Sequence, residues 1–413
     1  MNEKKRKNLS LLFYVLIYRN RESEEYSERD GGIVMKAVTF QGTKDMKVKN
    51  VKDPELQKKD DIIVKITATA ICGTDLHIYQ GALPTTKDTV IGHEPMGIVE
   101  EVGSDVTKVK KGDRIVLPFN VSCGKCFYCS NEMESQCDNS NGNPHFDTGG
   151  YFGLTERYGD YSGGQAEYLR VPYGNFMPLV IPESSELEDE SLLFLSDVLP
   201  TAWWSVENAG VKKGDTVVVL GCGPIGLMTQ KFAWMQGASR VIAVDEIPYR
   251  MELAKKINNV EIVDFSKHDN TGALIHEITQ GGARVVIDCV GMDGKKSPAE
   301  AAQQKLMLQG GTLSAINIAK DAVSKFGTIQ LTGVYGLTYN QFPLGNIFER
   351  NVTMKMGQAP VVHLMPMLYK KIENGEFDPR EIISHIMPLE NAGEAYQIFN
   401  DHQDNCTKVI LKP

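Results

Sequence analysis

Cys72, Thr74 and His77 lie within one short run, and Gly92-His93-Glu94 follows soon after. Together they offer a thiolate, two imidazoles, a hydroxyl and a carboxylate. Thiolate and imidazole are ordinary protein ligands for zinc, and the hydroxyl and second histidine could lead a proton away from it. Taken singly, Cys72 or His93 reads equally well as a core residue, and His77 as a surface histidine. Their company suggests a metal. A third ligand is needed, and the candidate is Asp197, in the run Leu195-Ser196-Asp197-Val198-Leu199-Pro200-Thr201. Thiolate plus carboxylate would neutralise a dication, and neutral His93 would leave one position open for water or a substrate oxygen. Asp197 also reads as a helix-start cap.

A second group is Cys123-x-x-Cys126-x-x-Cys129-x7-Cys137. Short spacings let loops place four thiolates tetrahedrally around one ion, and such a closed site is structural. Zinc suits it, because the flanking residues suggest no redox chemistry. An iron–sulfur cluster and metal-free cysteines are the alternatives.

The third group is Gly221-Cys222-Gly223-Pro224-Ile225-Gly226, after the apolar run 216–220. Gly221 permits a tight turn, Gly223 lets backbone approach a pyrophosphate, and Gly226 allows helix and strand to pack closely. A following helix would aim its N-terminal amides at phosphate. Asp245 ends the next apolar run, where a carboxylate accepts ribose hydroxyls and repels a 2′-phosphate. That favours NAD over NADP, with Arg250 nearby pulling slightly the other way. A Gly-rich turn without ligand is the plainer alternative.

The elements that must position these groups fall into two patterns. Runs at 36–40, 61–66, 97–103, 113–118 and 163–169 read as strands separated by Gly and Asp turns, suggesting a partly open β-barrel. From 191–209 the period becomes helical. Strands at 216–220, 240–245, 261–263, 283–288 and 328–334 then alternate with helices at 249–256 and 273–279, the pattern of a doubly wound parallel sheet. Helices at 362–373 and 392–400 and a strand at 408–411 suggest a return to the first domain. The expected divisions are a catalytic domain over 35–205 with a metal lobe at 120–140, a Rossmann domain over 206–347, and a return over 348–413.

A chain of 413 residues supports two domains, and its net charge of -9 argues against a nucleic-acid or anionic-membrane partner. No apolar run is long enough to span a bilayer. Cysteines clustered in a large chain suggest metal binding in a reducing compartment, hence the cytoplasm. Residues 1–34 combine a basic tract, an apolar run and a charged tract, and read as an extension or a mis-assigned start before Met35 rather than a signal peptide.

In this order, Cys72-Gly-Thr-Asp-Leu-His77, Gly92-His93-Glu94, the four-cysteine lobe, the glycine motif and Asp245 resemble the zinc-containing medium-chain alcohol dehydrogenases. The likeness covers 35–413. Asp197, where many relatives carry a cysteine, together with 291–294 and 327–336, is similar to the formaldehyde dehydrogenase-like branch. The resemblance implies a GroES-like catalytic domain, two zinc ions per chain, NAD, and hydride transfer from a small alcohol or hydrated aldehyde, formaldehyde or its thiol adduct among them. It implies that Thr74 passes the hydroxyl proton, through cofactor ribose, to His77 at the surface. Glu94 would orient the site or exchange onto zinc, and Lys408 would contact the cofactor pyrophosphate. Trp203, Trp204, Phe119 and Phe146 are candidate pocket walls. A homo-oligomer, tetramer or dimer, is expected. A dismutase with permanently bound NAD and a non-catalytic binding protein of the same fold are the alternative functions.

Overall fold

The structure, a computed structural model, describes residues 34–143, 145–294, 311–336 and 339–413. The readings of residues 1–33 lie outside these.

One strand organises the first body. Ile62–Ile71 is apolar and mostly buried, and it pairs antiparallel with Glu94–Val102, Tyr168–Val171 and the C-terminal Val409–Lys412. They belong to a seven-stranded sheet that also contains His385–Pro388, Arg114–Val116 and Leu179–Val180. Register decides what gathers at its end. Ala70 pairs with Glu94, and Ile71 with Val409. Cys72, His93 and Lys408, distant in sequence, therefore emerge side by side.

The second body is a six-stranded parallel sheet. Its order is Glu261–Asp264, Arg240–Asp245, Thr216–Leu220, Ala283–Asp288, Val323–Leu331, Thr353–Met356. Thr216–Leu220, Val-rich and buried beyond its first residue, is central, so the phosphate-binding turn opens at mid-sheet. Helix Val198–Ala209 joins the bodies. Its Val198, Leu199, Ala202 and Val206 share one apolar cluster with Val217, Val219, Leu227 and Phe232 of the second body and Leu76 and Ile91 of the first.

Some elements differ from expectation. The strand expected over 163–169 is instead Tyr168–Val171; the amides of Gly163, Gly164 and Gln165 donate to the carbonyls of Val90, Gly92 and Ile91. The late strand is Val323–Leu331 rather than 328–334; the amides of Thr332 and Gly333 turn away to the Asp288 carbonyl. Strand Asp45–Lys52, helix Ser314–Ala322 and edge strand Thr353–Met356 were not anticipated.

Candidate active site

Cys72 ends its strand and caps the short helix Gly73–Tyr79. Asp75, in the first turn, accepts the Cys72 amide through Oδ2 at 3.0 Å and meets His93 Nδ1 through Oδ1 at 3.0 Å. One carboxylate thus holds both the cysteine's backbone and the histidine's ring. Gln165 steadies Asp75 in turn, through Nε2 at 3.2 Å, and accepts the Tyr396 hydroxyl at 2.8 Å. With Nδ1 engaged, His93 presents Nε2, which lies 3.4 Å from Asp197 Oδ2. Cys72 Sγ is also 3.4 Å from that oxygen. Ligands on a tetrahedral zinc are separated by roughly 3.3–3.5 Å, so the donors already stand at ligand spacing.

Asp197 occupies the N-cap position of helix Val198–Ala209, yet its side chain makes no cap bond. It faces Cys72 and His93 instead. Its Oδ1 accepts the Thr201 hydroxyl at 2.7 Å.

Cys72, His93, Glu94 and Asp197 are all buried, with one donor atom from each lying within 4.8 Å of the others. Glu94 Oε1 meets Lys408 Nζ at 2.5 Å, while Oε2 is buried without a hydrogen-bond partner. Burial, then the Asp197 charge, pushes the Cys72 thiol up to about 11. Burial raises the Glu94 carboxyl despite Lys408. On His93, burial acts downward, but Asp75, Asp197 and Cys72 raise the imidazole well above its usual value. Burial disfavours the ionised thiol and carboxyl while the neighbouring anions favour a charged imidazole; a dication here would favour the thiolate and carboxylates. The orphaned Glu94 oxygen and the donor set both fit zinc.

The lobe fits a second ion. Cys123 Sγ lies 4.0 Å from Cys129 Sγ, and Cys126 Sγ 3.9 Å from Cys137 Sγ. Tetrahedral zinc thiolates stand roughly 3.8 Å apart. The Cys123 amide and the Asn139 side chain donate to sulfur at 3.3 and 3.2 Å, as they would to thiolates. All eight cysteines are free of disulfides.

A cavity of about 440 Å³ runs between the bodies, lined by Cys72, Thr74 and His77 on one side and by Gly221, Gly223, Pro224, Ile225, Gly226, Asp245 and Arg250 on the other. Gly221 has φ +95°, and a Cβ on Gly226 would stand 2.0 Å from the Gly221 carbonyl oxygen. Helix Pro224–Met235 opens with Pro in its first turn and points its amides into the cleft. Asp245 Oδ2 accepts the Cys222 amide at 2.7 Å, tying the glycine turn to the neighbouring strand. Arg250 Nη2 lies 3.2 Å from His402 Nδ1 at the cleft rim.

Two expectations need correction. His77 is not at the surface: it is 4% exposed, because its helix is buried from Asp75 onward. Lys408, expected on the cofactor pyrophosphate, lines the cleft with the glycine motif and also pairs its ammonium with Glu94. Of the supposed pocket walls, Phe119 stands edge-on to His93 at 6.3 Å, whereas Trp203 packs on Phe232 at 5.3 Å and Phe146 on the Arg157 guanidinium at 5.0 Å. Trp204 lies against Gly357. Asp75, Thr201 and Gln165 were not anticipated. Only Asp75, three residues after the ligand cysteine, left a sequence trace, as a helix-start carboxylate.

Residues 58–183 match the family model of the alcohol dehydrogenase GroES-like domain, and 224–359 that of the zinc-binding dehydrogenases. The chain belongs to the zinc-type medium-chain alcohol dehydrogenase family. It is 58% identical to the zinc-type alcohol dehydrogenase-like protein AdhB of Bacillus subtilis, over 92% of this chain and 100% of that protein. It is 31% identical to a glutathione-independent formaldehyde dehydrogenase of B. subtilis, over 93% and 98% of the two chains. Among solved structures, alcohol dehydrogenase TADH from Thermus sp. ATN1 superposes with a TM-score of 0.78 at 30% identity, covering 92% of this chain and 99% of that one. The protein is a zinc-dependent alcohol dehydrogenase-like oxidoreductase with a nucleotide-binding domain. No helix among the described residues is long and apolar enough to cross a membrane.

Proposed function

We propose that this chain oxidises a small primary alcohol or a hydrated aldehyde, formaldehyde or its thiol adduct included, and passes the hydride to NAD. The convergence of Cys72 Sγ, His93 Nε2 and Asp197 Oδ2 where the cleft meets the first domain carries this assignment. Zinc held by these three residues supplies the Lewis acid that makes a hydroxyl acidic near neutral pH, and NAD supplies the hydride acceptor. The protein does the rest. Asp75 fixes the His93 ring, and Thr201 fixes the Asp197 carboxylate. Thr74 Oγ1, 3.9 Å from Cys72 Sγ, takes the substrate's hydroxyl proton. His77 receives it onward, one helical turn along and on the same cleft wall. Phe119 excludes water beside His93. Glu94, held by Lys408, orients the site from beside the ligands. Asp245 selects NAD at the ribose end.

The formaldehyde branch is supported by Asp197 in the ligand set and by the likeness to the formaldehyde dehydrogenase. A homo-oligomer is supported by the strand Thr353–Met356, at the sheet's edge among the described residues, with exposed Met356 in it and exposed Leu344 and Phe348 before it. Formaldehyde, ethanol, longer alcohols and polyols should be compared for NADH formation, with and without a low-molecular-weight thiol. Turnover of small alcohols or formaldehyde is expected. A preference for polyols would overturn the substrate assignment.

A further inference from the structure

We propose that Ser205 and Thr332 are positioning residues that couple occupancy of the cofactor cleft to the orientation of Asp197. This rests on the assignment above of Asp197 to zinc and of the cleft to NAD. A carboxylate has two oxygens, and here they are used differently. Oδ2 faces Cys72 and His93, while Oδ1 accepts the Thr201 hydroxyl at 2.7 Å. A thiolate at this position would have no second atom to offer. Thr201 stands four residues along, and Ser205 four beyond that, so both fall on one helix face. The Ser205 hydroxyl donates to the Thr201 carbonyl at 2.5 Å and accepts from the Thr332 hydroxyl at 2.7 Å. Thr332 follows strand Val323–Leu331, on the loop where Thr332, Gly333 and Val334 line the cleft.

A helical serine bonded back to its own helix ordinarily has no further partner and slightly weakens the helix. A threonine in a cleft wall ordinarily turns its hydroxyl to water or ligand. Here the two meet between helix and cleft loop, and Ser205 is fully buried. Asp288 anchors the loop end of the path. Its backbone carbonyl accepts the Thr332 and Gly333 amides at 2.9 Å, and its carboxylate accepts the Tyr335 hydroxyl at 2.6 Å. A ligand that shifts the 332–334 loop therefore pulls on Ser205, on the first turns of helix Val198–Ala209, and so on the oxygen opposite the metal-facing one. By linkage, a metal at Asp197 tightens cofactor binding by the same factor.

The test replaces the catalytic zinc with cobalt(II) and follows its visible absorption as NAD is added to wild type, Ser205→Ala, Thr332→Val and the conservative Thr332→Ser. Wild type and Thr332→Ser should shift on saturation. Ser205→Ala and Thr332→Val should bind cobalt stoichiometrically yet lose most of the shift, and the dissociation constant for NAD should rise about fivefold, as for one buried hydrogen bond. If Ser205→Ala fails to fold, Thr332→Val, on a loop, carries the comparison. Shifts in the variants equal to wild type would overturn the coupling. So would a wild-type spectrum that ignores NAD while tryptophan fluorescence reports its binding. Failure of wild type to take up cobalt or NAD at all would instead remove the functional assignment beneath it, before any variant is compared.

Discussion

Asp75 Oδ1 lies 3.0 Å from His93 Nδ1, both groups buried, and this contact decides which ring nitrogen is left to face Asp197. Partners of this kind set ligand orientation and basicity. Asp75→Asn should keep the fold and weaken zinc at the catalytic site by about 10–100-fold, measured by competition with a chromophoric chelator. Unchanged affinity would show that the Asp75 charge does not tune His93.

Lys408 and Glu94 are 314 positions apart and form a buried ion pair at 2.5 Å. Removing one partner of such a pair leaves the other charge uncompensated, at a cost of about 3–5 kcal/mol. Lys408→Met should lower the urea midpoint accordingly, and Lys408→Met with Glu94→Gln should recover much of the loss. If the double variant is no better than the single one, Lys408 contributes by packing rather than by charge.

Glu134 Oε1 accepts the His363 amide at 3.0 Å and lies 3.1 Å from its Nδ1, linking the cysteine lobe to helix Val361–Glu373. Burial acts to raise the Glu134 carboxyl, but His363 holds it below its usual 4.5; burial acts to lower the His363 imidazole, but Glu134 holds it above its usual 6.5. The Glu134 share is present above 4.5 and lost as pH falls through the depressed value. The His363 share is complete below 6.5 and lost as pH rises through the raised one. The stability difference between wild type and Glu134→Gln should therefore be largest between about 4.5 and 6.5 and shrink on either side. A difference in urea midpoints that stays flat from well below 4.5 to well above 6.5 would leave the pair without an ionic role.

How much of this was legible in the chain depended on spacing. The glycine motif and the four cysteines act over a few residues, so their order alone announces them. Cys72 and His93 became neighbours through strand register, which the strand patterns suggested only in outline. Asp197 could be proposed as a ligand because a dication needs a second anion, but its direction, into the site rather than onto the helix amides, required the fold. Thr201, Ser205 and Gln165 left no sequence signal, since a hydroxyl or amide bonded to another buried group looks like any buried polar residue. Lys408 was expected on the cofactor pyrophosphate from the family resemblance, which left no trace of the buried Glu94 it also meets. Which anion a buried lysine meets is set by register, here Ile71 opposite Val409.

Asp245 Oδ2 binds the Cys222 amide, so its replacement should disturb the glycine turn as well as ribose selection. Asp245→Asn should raise the KM for NAD by about tenfold and narrow the preference over NADP, with kcat at saturating NAD much less affected. An unchanged ratio of kcat/KM for the two cofactors would remove Asp245 from cofactor selection.

The central claim is that Asp197 completes a zinc site with Cys72 and His93, and metal counting on purified Asp197→Ala tests it most directly. Wild type should carry two zinc ions per chain and form NADH with a small alcohol or formaldehyde. Asp197→Ala should keep the lobe's single zinc and its fold and lose NADH formation. Two zinc ions and wild-type turnover in Asp197→Ala would contradict it.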